Sequence, residues 1–188
     1  MILFKSLATV RAGQAGAVIP TEVKVQWDLI KDYLPLGQND ELLYVEGESM
    51  APEDIHTGDI LISHIINSAD KLQYGDYIIL HTSDKKDSDK PSFKLRKFLC
   101  MVDIKRDVET LWDQVTQIDS YRGTELKKLF EEKLQKAQSR LSVEQKDNTI
   151  LSITYTEKGR EYSFHSIGRL HAKVDACINR QQGKKKDL

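Results

Sequence analysis

The sequence predicts a mainly β fold carrying one inserted helical segment, α+β overall, and three observations lead there. Short runs rich in β-branched and aromatic residues recur between turn residues: Leu42–Val45, Asp59–Ser63, Tyr77–His81, Ser92–Val102, Ile150–Tyr155 and Tyr162–Ile167. Two of these runs start at a Gly-Asp pair, Gly58-Asp59 and Gly75-Asp76, which is turn chemistry. Between residues 105 and 147 the apolar spacing becomes helical, in two sets. Val108, Leu111, Trp112, Val115 and Ile118 form one, and Leu126, Leu129, Phe130, Leu134, Ala137 and Leu141 the other.

In chain order, residues 1–20 are dense in Ala and Gly without a period and read as a flexible extended arm closed by Pro20. Val25, Trp27, Leu29, Ile30, Tyr33 and Leu34 predict a short helix over 22–34, before Pro35. Leu42–Val45 is a strand that runs directly into a turn at Gly47–Pro52. Polar residues 82–91 predict a solvated hairpin loop between the strands at 77–81 and 92–102. Gly123 lies between the two apolar sets, so the block is two helices or one kinked helix, and Glu157-Lys158-Gly159 turns between the last hairpin strands. The expected organisation is an arm over 1–20, a β domain over 21–104 and 149–178, a helical insertion over 105–148 and a basic tail over 179–188.

At 188 residues the chain is long enough for a sizeable core, and its apolar and charged content suits a globular protein. A formal charge of -1 excludes bulk attraction to nucleic acid or to an acidic membrane. The lysines at 184–186 read as solubilising. Cys100 and Cys177 match no metal or disulfide spacing, and no cofactor or metal is expected. No run approaches the roughly 18–20 apolar residues of a membrane span, so no membrane partner is expected and the predicted location is cytoplasmic.

The chemistry concentrates in Val45-Glu46-Gly47-Glu48-Ser49-Met50-Ala51-Pro52. Gly47 permits a bend free of side-chain clash, and Pro52 stops simple helix continuation. Ser49 is thus displayed on a tight turn, either as a turn residue or as a nucleophile. As a nucleophile it needs a base. His56, His64, His81, His165 and His171 are candidates, though none has an orienting carboxylate evident in sequence. The other route is a lysine kept neutral by apolar surroundings. Lys94, between Phe93 and Leu95 on a core strand, fits that description, and Lys97, between Arg96 and Phe98, is its rival. Strand side chains alternate, so the two lysines face opposite sides and only one can meet Ser49.

The serine segment with Gly58-Asp59, Gly75-Asp76-Tyr77-Ile78-Ile79, Ser92-Phe93-Lys94 and Ile167-Gly168-Arg169-Leu170 resembles the LexA-like self-cleaving serine peptidases, which include the LexA and phage repressors and UmuD. The likeness runs over residues 8–104 and 149–174. It implies a Ser–Lys dyad of Ser49 and Lys94, with the backbone N–H groups of Ser49 and Met50 as oxyanion hole. It also implies that the substrate is the chain's own arm, cut at an Ala-Gly bond. Ala12-Gly13 is the first candidate, 37 positions before Ser49 counted from Ala12, and Ala15-Gly16 the alternative. Homodimerisation and a bacterial or phage SOS-type stress response follow from the same resemblance.

Two departures shape the expectation. Only a dozen residues precede the candidate bond, so the chain has no DNA-binding domain of the repressor kind and is UmuD-like in plan. Residues 105–147 are foreign to the family's domain, and either bind a protein partner or pack on the chain's own sheet. Type I signal peptidases share the serine motif, which leaves a processing enzyme as one alternative. A non-catalytic interaction module on the same scaffold is the other.

Overall fold

The computed structural model describes the backbone of residues 2–5, 8–11, 22–25, 37–82, 92–120, 123–179 and 183–188, and side chains from residue 37 onward within these segments apart from Thr82 and Ser92. The described strands begin with β1 (Ile2–Lys5), β2 (Ala8–Arg11), β3 (Glu22–Val25) and β4 (Asp40–Glu46). After these come β5 (Ile60–Ile65), β6 (Tyr77–Thr82) and β7 (Ser92–Val102). The helices α1 (Val108–Ile118), α2 (Thr124–Arg140) and α3 (Val143–Lys146) precede β8 (Thr149–Thr156), β9 (Gly159–Ser166), β10 (Leu170–Asn179) and β11 (Lys184–Asp187). The fold is mainly β with a helical segment, as the sequence predicts.

One compact unit comprises Met1–Asn67, Tyr77–Leu95 and His171–Leu188. Its strand pairings run β10, β5, β4, β2, β7, and β6 then pairs with both β7 and β10. The six strands therefore close into a ring, which removes the free edges that an open sheet would present. β4 and β5 are antiparallel, with Leu43 opposite Leu61. β2 is parallel to both of its neighbours, Val10 standing level with Val45 on β4 and Phe93 on β7. Leu43, Val45, Ile60, Leu61, Ile78 and Leu95 are completely buried in this unit's core.

Two expectations give way here. The arm is not free along its length, because β2 is a stave of the ring and β1 pairs antiparallel with β3. The helix predicted over 22–34 is replaced at its start by β3, with Val23 opposite Phe4. Glu22-Val23-Lys24-Val25 alternates polar and β-branched residues, which favours a strand once a partner strand is present. Within the basic tail, β11 pairs with β10 and places exposed lysines on a sheet edge, a device that discourages further pairing. The Ala12-Gly13 and Ala15-Gly16 bonds, residues 26–34 of the predicted helix and residues 83–91 of the predicted loop lie outside the described residues.

The second unit comprises Ser68–Asp76 and Arg96–Leu170. The end of β7, β8 and β9 form an antiparallel sheet here, with Met101 opposite Ile150 and Thr149 opposite Ser166. The helical block packs on this sheet. Leu126, Phe130, Leu134 and Ala137 recur along α2 at helical spacing, and with Leu111 and Val115 of α1 they share a core with Leu99, Leu151, Tyr162 and Phe164. Phe130 meets Trp112, Tyr162 and Phe164 edge-on at centroid distances of 5.3, 5.6 and 5.4 Å. Each helix start is legible in its cap where the side chain supplies one. Asp107 accepts from the Thr110 amide at 2.9 Å, and Ser142 with Gln145 closes a capping box ahead of α3. Asp119, just past α1, is buried against Arg160 at 2.6 Å and accepts from the Tyr162 hydroxyl at 3.1 Å. Burial, then Asp119, raises the Tyr162 phenol well above its ordinary range. Burial pulls the Arg96 guanidinium down to about 10, against the opposing pull of Glu161.

Candidate functional site

The site is built on the exit of β4, in the first unit. β4 buries Leu42, Leu43 and Val45, which anchors its end, and Gly47 then adopts φ 94°, a left-handed conformation that suits glycine. Glu48 and Ser49 follow. The chain tightens into a single 3₁₀ turn at Ala51–Glu53, with Pro52 inside it and Met50 fully buried beneath it. Asp54, at φ 59°, ends this turn in the left-handed region, and the buried Ile55 returns the chain toward β5. Val45 and Gly58 close the loop, the Gly58 amide donating to the Val45 carbonyl at 3.0 Å and the Val45 amide to the Asp59 carbonyl at 2.9 Å.

Side chains fix the same loop from within. The Gly47 amide donates to Thr57 Oγ1 at 2.9 Å, and the Thr57 amide donates to Glu48 Oε1 at 3.0 Å. Glu48 Oε2 pairs with His56 Nδ1 at 3.1 Å, while His56 Nε2 lies 3.6 Å from Asp54 Oδ1. Partial burial works against ionisation of Glu48, but the Thr57 and His56 contacts outweigh it and hold its carboxyl below the ordinary value. Asp59 is buried, accepts from the His56 amide at 2.9 Å and lies 3.7 Å from Cys177 Sγ. Burial and then the Asp59 carboxylate push the Cys177 thiol far up, so it is a packed group with no thiolate character at neutral pH.

Ser49 Oγ is buried at the turn and makes no hydrogen bond among the described residues. The amides of Ser49 and Met50 donate to no backbone carbonyl among those residues. Lys94 is half-buried near the start of β7, in the same unit, and engages a partner other than the Ser49 hydroxyl. The dyad hydrogen bond is therefore not formed in this structure. Lys97 is half-buried too, stands opposite Ile153 of β8 and belongs to the second unit. Between the two candidate strands lies β2: Arg11 is level with Glu46 at the end of β4 and with Lys94 on β7.

Sequence reasoning missed the carboxylate partners of the histidines, which arise from residues far apart in the chain. His64 Nδ1 is 2.7 Å from Asp40 Oδ1, and His56 is held by Glu48. His171 Nε2 lies 2.8 Å from Glu41 Oε1 without hydrogen-bond alignment, and Glu41 Oε1 accepts from the buried Ser63 hydroxyl at 3.2 Å. The His171 ring lies tilted against Phe93 and edge-on to His81, at centroid distances of 4.6 and 4.7 Å. In this group the carboxylate, not the imidazole, stands between serine and histidine, so the Ser63 hydroxyl has Glu41 and no imidazole positioned on it.

Comparison with protein-family models, with curated proteins and with solved structures returns no match for this chain. The geometry above stands as the ground for a functional reading. Among the described residues no helix is long and apolar enough to cross a membrane, and no cluster of His, Cys, Asp and Glu has a metal-binding arrangement.

Proposed function

We propose that the chain is a LexA-like serine endopeptidase that cuts its own N-terminal arm. One observation carries this reading. β2 enters between β4 and β7 in parallel with both, and its last residue, Arg11, is level with Glu46 and Lys94 and directly precedes Ala12-Gly13 in the chain. An extended segment running between a serine turn and a lysine-bearing strand is how a peptide substrate would be presented to that pair. Ser49 Oγ attacks the Ala12 carbonyl carbon, and its proton passes to neutral Lys94 Nζ. The amides of Ser49 and Met50 receive the oxyanion. Collapse of the tetrahedral intermediate breaks the C–N bond, and the Lys94 ammonium protonates the departing Gly13 amine. Water then hydrolyses the Ser49 ester. Ala15-Gly16 is the alternative bond and Lys97 the alternative base. The absence of a hydrogen bond on Ser49 Oγ among the described residues is compatible with a dyad that tightens only on substrate engagement.

On this reading the protein acts in the cytoplasm as a homodimer, in a bacterial or phage SOS-type response, and residues 105–147 offer a surface for a protein partner. The unbonded Ser49 hydroxyl favours a second reading, an interaction module on the same scaffold that has no productive dyad. Incubating the purified full chain between pH 7 and 10 separates them. A lysine base must be neutral, so fragment release should rise with pH and yield a product beginning at Gly13 or Gly16, as read by denaturing mass spectrometry. Ser49→Ala and Lys94→Ala should abolish it while Lys97→Ala retains it. Loss in Lys97→Ala alone reassigns the base, and no fragment from the wild-type chain at any pH overturns the peptidase reading.

A further inference from the structure

We infer that Glu48 is a positioning residue for Ser49, acting with His56 and Thr57 as a clamp across the nucleophile turn. The inference rests on the peptidase reading and adds to it a group that touches neither substrate nor base. A nucleophile on a two-stranded loop must hold its oxygen within a fraction of an ångström of the attack line, and a misplacement of about 1 Å costs on the order of a hundredfold in rate. Glycine at Gly47 gives the bend, but its left-handed freedom also leaves the residues before Ser49 without steric restraint.

The clamp supplies that restraint from outside the turn. The Gly47 amide is tied to Thr57 Oγ1, the Thr57 amide to Glu48 Oε1, and His56 Nδ1 to Glu48 Oε2, at 2.9, 3.0 and 3.1 Å. Both residues before Ser49 are thereby fastened to one short segment, and that segment is itself held by the His56 amide on buried Asp59. On the other side of Ser49 the buried Met50 accepts at its carbonyl from the amides of Glu53 and Ile55, at 2.9 and 3.3 Å. Ser49 thus sits between two fixed stretches, inside the turn that the Ala51 amide closes on the Glu48 carbonyl at 3.0 Å, with its hydroxyl buried and without a hydrogen bond among the described residues. The charged groups facing the His56 ring are Glu48 on one nitrogen and Asp54 on the other. Glu48 and Asp54 are more than half exposed, so the clamp contributes little to global stability and its effect falls on geometry.

The test is the self-cleavage rate of full-length Glu48→Ala, Glu48→Gln and Thr57→Val across pH 7 to 10, with thermal melting measured alongside. Glu48→Ala should cleave about 10- to 100-fold more slowly at every pH, with the midpoint of the pH rise unmoved because the base is intact. Glu48→Gln keeps an acceptor for the Thr57 amide and should recover most of the rate. Hydrogen exchange of the 47–57 segment should quicken in Glu48→Ala, while melting changes by no more than a few degrees. If wild type cleaves and Glu48→Ala matches it, the positioning role is overturned and the peptidase reading survives. If Glu48→Ala is slow only because it is unfolded, the role is again overturned. A wild-type chain that never cleaves sinks the peptidase reading, and this inference with it.

Discussion

A single proline can test whether β2 presents the scissile bond. Val10 is paired on both flanks, with Val45 on β4 and Phe93 on β7, so its amide faces a neighbour whichever way the strand is turned. Val10→Pro removes that N–H and leaves a ladder carbonyl unmatched. The lost hydrogen bond costs about 0.5–1.5 kcal/mol and the stranded carbonyl about 1–3 kcal/mol, before any steric cost of the ring in a central strand. A docking penalty of about 3 kcal/mol lowers the docked population about a hundredfold. If cleavage requires the docked strand, the first-order rate at alkaline pH should fall by a similar factor. Ala8→Pro is the control. Ala8 is the first residue of β2, where proline is tolerated, and among the described residues its backbone is matched only to Leu43 of β4. Fragment is quantified by denaturing mass spectrometry, with a synthetic arm of residues 1–20 added in a parallel reaction. The Val10→Pro body should still cut that peptide. Cleavage of Val10→Pro in its own chain within threefold of wild type would refute the argument, because the bond would then reach Ser49 without β2 in place.

Two further outcomes follow from the packing. Phe130→Ala should destabilise the second unit by about 3–5 kcal/mol, since a fully buried ring with three aromatic neighbours leaves a cavity that stiff partners cannot fill; chemical denaturation followed by Trp112 fluorescence checks it, and a loss under 1 kcal/mol would contradict the packing. Burial, with the neighbouring His171 adding to it and Glu41 opposing, lowers the His81 pKa below its ordinary 6.5. The folded state then favours neutral His81, so its contribution is complete above about pH 6.5 and is lost as pH falls through the lower folded value. His81→Gln should flatten the decline of melting temperature below pH 6.5, and an unchanged slope would show that the pair does not couple to folding.

The helices and long strands were legible because each carries its signal locally. Phe130 and Leu134 announce one helix face by spacing alone. β2 and β3 were not legible, because four-residue strands such as Ala8–Arg11 draw their stability from partners remote in sequence. Ala8 and Thr9 alone say little, and Glu22–Val25 was read into a helix because the apolar residues after it have helical spacing. At the candidate site the Ser49 turn could be read from Gly47, Met50 and Pro52. The choice between Lys94 and Lys97 could not, since alternation says only that they differ in face. Their register differs, Lys94 pairing with Arg11 of β2 and Lys97 with Ile153 of β8, and the choice of base is left to the lysine variants. The Glu48 clamp lay inside the quoted motif, yet its bonds span eight to ten residues and depend on how the loop closes.

The same register bears on what a cut in the arm would achieve. Both candidate bonds, Ala12-Gly13 and Ala15-Gly16, fall between β2 and β3 in the chain. β1 lies before the cut and β3 after it, and these two strands are paired over four residues, from Ile2 with Val25 to Lys5 with Glu22. β2 is paired with β4 over another four. β2 is also paired with β7 at Val10 and Arg11. Cleavage therefore severs the covalent link and leaves three ladders spanning the break, and release of the fragment requires all of them to open, each exposing backbone groups that its pairing had satisfied. The linked arm also holds its strands at high effective concentration, and the cut removes that advantage without removing any contact. A cleaved chain can thus keep its native size and strand content while its arm becomes exchangeable. The chemical event is separated from the structural one, and dissociation of β1 and β2, not hydrolysis, opens the slot between β4 and β7.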